Sequence, residues 1–188
     1  MVHPTVCKQG VARQRPHRSL AAAMARCLRR VGAEIDLERT VVELAHFAED
    51  GAVSEAVLDL WVAFPGHTSP LYLDVTIRCP LAQRYTTAWK TPGAAATYAV
   101  RQKEARYGPK VITIALESYG RIAVETAAAL ESIACTAGDG LRDRWAAPRL
   151  VPLWRATLQR AVVYATADVD LLALGAAAVS TCALRGCA

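Results

Sequence analysis

"LDLWVAFPGHTSPLYLD" (residues 58–74) is the stretch on which the reading of this chain turns. Two apolar runs, residues 57–64 and 71–77, flank Pro65-Gly66, and each has an aspartate embedded in it, Asp59 and Asp74. In the second run Leu71, Leu73, Val75 and Ile77 alternate with Tyr72, Asp74, Thr76 and Arg78, the period-two pattern of a strand with one apolar face. An antiparallel hairpin turning at Gly66-His67 sets Trp61 opposite Tyr72 and Asp59 opposite Asp74. The carboxylates then share one sheet face, with Cβ atoms roughly 5 Å apart. Like charges so placed destabilise a hairpin. A divalent cation between them removes that cost, and hard oxygen ligands suit Mg2+ or Mn2+. A longer turn would slip the register and leave both acids facing water, and spacing alone leaves both readings open.

The flanking sequence supplies the other layers. Ser19 is a good N-cap, and Leu20, Met24, Cys27, Leu28 and Val31 follow as a helical stripe that Gly32 stops. Residues 33–42 begin with Ile35 and Leu37 alternating against Glu34, Asp36 and Glu38, a strand pattern. Residues 48–55 read as a surface loop. After Pro92-Gly93, "AAATYAVRQKEARY" is a run of helix formers that Gly108-Pro109 ends. "KVITIAL" (110–116) predicts a short buried strand, and residues 121–138 a helix closed by Gly138. Beyond Pro148 and Pro152 come a further helix, "LWRATLQRAVVYA", and a last one near 168–180. The order predicts an α/β fold, a mixed sheet flanked by helices.

With 188 residues, 53% of them hydrophobic, the chain can bury one real core. Its net charge of +5 suits a nucleic-acid partner. Six cysteines lie far apart without a CxxC pair, which argues against a disulfide framework and for a reducing, intracellular compartment. The first eighteen residues lack the apolar core of a secretory signal, so the chain is not expected to be secreted. The apolar tail is Ala- and Gly-rich and short of a full span, so it is read as a packed helix and no membrane is expected.

Two acids on adjacent central strands of a helix–strand–strand–strand–helix–strand–helix core resemble the PD-(D/E)xK nuclease superfamily. The chain is similar in particular to the restriction-like endonuclease domain of early-branching, site-specific non-LTR retrotransposons. That domain carries a proline-aspartate, then twelve to fourteen residues, then a second aspartate; here Leu58-Asp59 precedes fourteen residues and Asp74. The family's helix lysine and following tyrosine are matched by Lys103 and Tyr107 in "RQKEARY". Its zinc knuckle ending in histidine and cysteine, followed by an Arg-His motif, is matched by His3-Pro-Thr-Val-Cys7 and by His17 in "RPHRSL". The chain departs from the pattern in three places. Leucine stands where the proline should precede the first acid, and Thr76 stands where many superfamily members have lysine. Only two of the four knuckle ligands are present, so zinc is not expected and the chain is expected to be a fragment or remnant of a larger element protein.

The resemblance implies a restriction-endonuclease-like α/β core with extra C-terminal helices: a basic N-terminal segment at 1–18, the core at 19–138 and the added helices at 139–188. It implies a metal-dependent DNA endonuclease that nicks a target site. Asp59 and Asp74 would hold Mg2+ or Mn2+, and Lys103 would assist the attacking water. DNA is the implied partner, with a reverse transcriptase domain and RNA of the parent element beside it, in the nucleus or elsewhere inside the cell. Arg101, Arg106 and Lys110 cluster near Lys103 and either contact the DNA backbone or form a solvated helix face. Glu117 is a candidate extra acid, though a glutamate at a strand end is usually exposed. The alternative is a catalytically inactive DNA-binding or assembly module on the same fold.

Overall fold

The computed structural model describes residues 10–47, 53–82, 84–85, 90–141 and 146–185. Helix α1 (Gly10–Arg29) leads into strands β1 (Glu34–Phe47), β2 (Val53–Ala63) and β3 (Leu71–Arg78). Helix α2 (Ala94–Tyr107), strand β4 (Val111–Glu117), helix α3 (Val124–Leu141) and helix α4 (Ala146–Arg185) complete the chain. The strands form one sheet in the order β1-β2-β3-β4, antiparallel across β1–β2 and β2–β3 and parallel across β3–β4. The chain therefore folds as an α/β domain with a four-stranded mixed sheet. Among the described residues no helix is long and apolar enough to cross a membrane.

One face of the sheet carries the main core. Leu60, Val62, Leu73, Val75, Ile114 and Leu116 point into it and meet Leu20, Met24 and Leu28 of α1 and Leu130 and Ile133 of α3. Helix α4 packs on α1 and α3 and closes this core from outside, with Trp154 1% exposed. The other face is covered over β3 and β4 by α2, through Ala96, Ala99 and Val100 against Ala115 and Ala123. Small residues let that helix sit close. Its start needs Gly93, which has φ 82° and would press a Cβ to 2.8 Å from the Ile122 carbonyl. Its end is closed by Gly108, whose N–H donates to the Glu104 carbonyl.

Residues 121–126 seal the outer edge of β4. Ala115 N–H donates to Thr126 Oγ1 at 2.8 Å, and Glu117 N–H to the Arg121 carbonyl at 2.7 Å.

Several element boundaries differ from those the residue pattern predicts. Helix α1 begins at Gly10, nine residues before Ser19, and carries Pro16 inside it. The basic segment has no apolar stripe to announce a helix, and a proline seven residues in argues against one. Gly138 lies within α3, which runs on to Leu141. The two expected C-terminal helices are one, α4, continuous from Ala146 to Arg185 with Pro152 inside it. The packing of α4 on α1 and α3 carries it through residues 164–170 without a break.

Candidate functional site

The centre is built where β2 and β3 part. The hairpin register matches the tight-turn expectation, with Trp61 opposite Tyr72 and Leu60 opposite Leu73. The ladder stops there, so Asp59 and Asp74 are not a paired rung. Beyond it, β2 turns away at Asp59. Across β1–β2, Leu37 pairs with Leu60 and Arg39 with Leu58, and Glu38 between them has φ 55°, the one positive φ at a non-glycine among the described residues. The ribbon exchanges its two faces at this point. Leu60 packs with Leu73 in the main core, whereas Leu58 packs with Val111, Tyr72 and Tyr107 on the α2 side. Arg39 likewise lies over the Trp61 ring, 4.7 Å from its centroid. Asp59, at the inflection, projects toward its neighbouring strand.

Residue 75 of β3 presents its N–H and C=O to the side where β2 has left. Val75 N–H donates to Asp59 Oδ2 at 2.7 Å. The Val75 carbonyl meets His17 Nε2 of α1 at 3.1 Å, and the same nitrogen lies 3.4 Å from Asp59 Oδ1. Two acceptors at one nitrogen require that Nε2 carry the hydrogen. The Asp59 hydrogen bond is the main reason that the His17 pKa is raised, and it outweighs the opposing effect of burial.

Asp74 stands on the α2 side of β3, beside Thr113 of β4. This polar face is buried rather than wet, because α2 covers it; Asp74 is 4% exposed and Thr76 7%. Lys103 follows Ala95 and Ala99 by helical turns, so it faces the strands. Its Nζ donates to Asp74 Oδ1 at 3.0 Å and lies 2.9 Å from Oδ2. The ammonium therefore stands against both oxygens of the carboxylate. Burial pushes the Asp74 carboxyl up, against the pull of Lys103, and the charge of Asp59 adds to the rise. Lys103 also sits over the ring of Tyr107, 5.5 Å from its centroid.

Asp59, Asp74 and Lys103 thus converge, joined by His17, to which the sequence reading gave no role. The motif "RPHRSL" marked the position, but a contact 58 residues away in the chain leaves no local trace. Other candidates lie elsewhere. Arg101, Arg106 and Lys110 are exposed. Glu117 is fully buried, not exposed, and its Oε1 accepts the Ala95 N–H at the start of α2, 3.1 Å away. It lies four residues along β4 from Thr113, the neighbour of Asp74, and serves the helix end. His3 and Cys7 fall outside the described residues.

The donor set fits a hard cation. Mg2+ commonly takes one or two carboxylates and keeps water or phosphate in its other positions. Asp59 and Asp74 could supply two such ligands, with Lys103 Nζ 2.9 Å from Asp74 Oδ2. Among the described residues no group of three or more His, Cys, Asp or Glu side chains is placed to hold a metal. Neither a known protein-family model nor a curated protein matches the sequence.

Proposed function

We propose that the chain is a metal-dependent DNA endonuclease domain with a restriction-endonuclease-like core, of the kind that nicks a target site for a non-LTR retrotransposon. The observation that carries this reading is the meeting of two carboxylates and a lysine where two central strands separate. Asp59 and Asp74 would bind Mg2+ or Mn2+, which when present screens the phosphate and lowers the pKa of a bound water. Lys103 opposes the rise that burial causes in the Asp74 pKa, and its ammonium is placed to orient water and to offset charge developing on phosphate. Val75 N–H and His17 fix the Asp59 carboxylate, leaving it little rotational freedom. The positive φ of Glu38 is a local cost that the ribbon bears in order to place Asp59, as strained residues at functional sites do.

A reverse transcriptase domain and RNA of a parent element are the partners this function brings with it, and the nucleus is its place of action.

One observation favours a second reading. Lys103 lies on Asp74 and His17 on Asp59, so each acid already has a side-chain partner without any metal. A catalytically silent DNA-binding or assembly module would keep the same contacts. The deciding experiment is the nicking of supercoiled plasmid by the purified chain in Mg2+ or Mn2+, against Asp59→Ala and Asp74→Ala. Metal-dependent nicking that both variants lose establishes the nuclease. DNA binding without nicking establishes the module.

A further inference from the structure

Helix α1 carries His17 into the centre, and the next residue, Arg18, opens a second feature that the centre does not use. An open groove of about 400 Å³ runs along the seam between α1 and α4. Arg18, Ser19 and Arg26 line it from α1, Tyr164 and Asp168 from α4, and alanines of both helices form its floor. The helices run antiparallel, since the Cys27 thiol meets the Thr157 hydroxyl while Arg18 and Asp168 share the groove. The groove therefore starts beside His17 and Asp168 and leads away from the centre toward Arg26.

Its chemistry is specific. Arg18 and Arg26 are exposed, and neither forms an ion pair with another described residue. Eight residues of helix separate them, about 12 Å of axis, which equals the axial length of roughly three to four phosphates on one DNA strand. Tyr164 is 68% exposed although aromatic, and with Ser19 it adds a hydroxyl-bearing side chain to the groove's lining. Guanidinium groups and hydroxyls over a floor of small side chains match a phosphodiester backbone, which needs close approach, positive charge and O–H donors. Arg101 and Arg106, the arginines nearest Lys103 in sequence, belong to the exposed side of α2, across the sheet from this seam.

We propose that the α1–α4 groove binds the phosphodiester backbone of the DNA strand presented to the Asp59–Asp74 centre. The placement of that strand rests on the nuclease reading above. Arg18 and Arg26 each neutralise a phosphate. Asp168 opposes them and sets the affinity below what the arginines alone would give. The groove also assigns a purpose to α4, which lies on α1 and α3 and forms one of its walls.

The test uses the full chain and a fluorescein-labelled DNA duplex of mixed sequence, in EDTA so that nothing is cut, across a potassium chloride series. Binding anisotropy is measured for the parent, Arg18→Gln/Arg26→Gln, Arg101→Gln/Arg106→Gln and Asp168→Asn. Loss of two phosphate contacts should flatten the slope of log affinity against log salt by about 1.8, at about 0.9 per contact. Asp168→Asn should bind more tightly with the slope unchanged, an effect that packing between the helices would not produce. An unchanged slope in the Arg18/Arg26 variant overturns the groove, as does a parent that binds no DNA at low salt. Should the double variant lose its fold, the sign of the Asp168→Asn effect decides. Nicking is assayed separately in Mg2+. A parent that binds through Arg18 and Arg26 yet never nicks refutes the nuclease and leaves the groove as a DNA site. A parent that nicks while its salt slope ignores those arginines refutes the groove alone.

Discussion

Strand β3 has two neighbours and treats them differently. On one side it pairs with β4 without interruption from Tyr72 to Arg78. On the other it pairs with β2 only from Leu71 to Leu73. Along the first edge, backbone satisfies backbone and side chains are chosen for packing. Along the second, the ladder fails after Leu73 and polar side chains take over, Asp59 for the Val75 N–H and His17 for its carbonyl. A buried backbone group must find a partner. The difference teaches how a carboxylate comes to be held rigidly inside an apolar sheet: it substitutes for the missing strand. Function, on the proposed reading, occupies the defect in the ladder.

The most severe way to break this comparison is to remove the acids. Asp59→Ala and Asp74→Ala should each reduce plasmid nicking by about a hundredfold or more, the scale of losing an essential group in a preorganised site. Nicking at the parent's rate by either variant would reduce the fork to architecture. Lys103→Met should also slow nicking and move its onset to higher pH. Burial already raises the Asp74 pKa, Lys103 opposes that rise, and removing the lysine lets it climb further. An onset that stays put in a pH–rate profile would show that the ammonium does not hold Asp74 ionised.

The next effect concerns stability and separates the two edges of β3. Asp59→Ala strands the Val75 N–H, at a cost of about 1–3 kcal/mol in urea unfolding. Asp59→Asn retains an acceptor oxygen and should cost much less. Equal costs for the two variants would mean that the bond to Val75 contributes nothing. The smallest effect is that of pH. His17 has a raised pKa in the folded state, so its stabilising pairing with Asp59 is complete below the unfolded value of about 6.5. That contribution disappears as pH rises through the higher folded value. His17→Gln should therefore narrow its stability gap to the parent between mildly acidic and alkaline buffers. A gap independent of pH would show that His17 acts through packing alone.

Much of the frame was legible because it is local. Alternation in residues 71–77 marked β3, Gly108-Pro109 marked the end of α2, and the turn at Gly66-His67 set the register of Trp61 and Tyr72. The carboxylate pair was legible from the hairpin pattern, and Lys103 for a different reason, its resemblance to a known arrangement. The face reversal at Glu38 was not legible. Leu58 and Leu60 have the spacing of one strand face, and only the tertiary structure sends them to opposite sides. His17 was hidden because its partners lie on two strands distant in sequence. The depth of Glu117 was hidden too, since no short-range pattern announces that a strand-end acid will close the start of a helix.

The packing of α1 against α4 has a consequence for the order in which the protein comes together during synthesis. Leu20, Met24 and Leu28 leave the ribosome well before α4, and the core they share with Trp154, Leu158 and Val162 cannot close until α4 has been made. Until then the first helix presents an apolar stripe with only part of its cover, beside arginines that already carry charge. The sheet and α2 can assemble around their own contacts in the meantime, but the main core waits for the seam between α1 and α4. Contacts so distant in sequence are slow to form and leave the nascent chain open to aggregation for longer. A chain interrupted before α4 is therefore expected to hold a formed sheet and an unsheltered core.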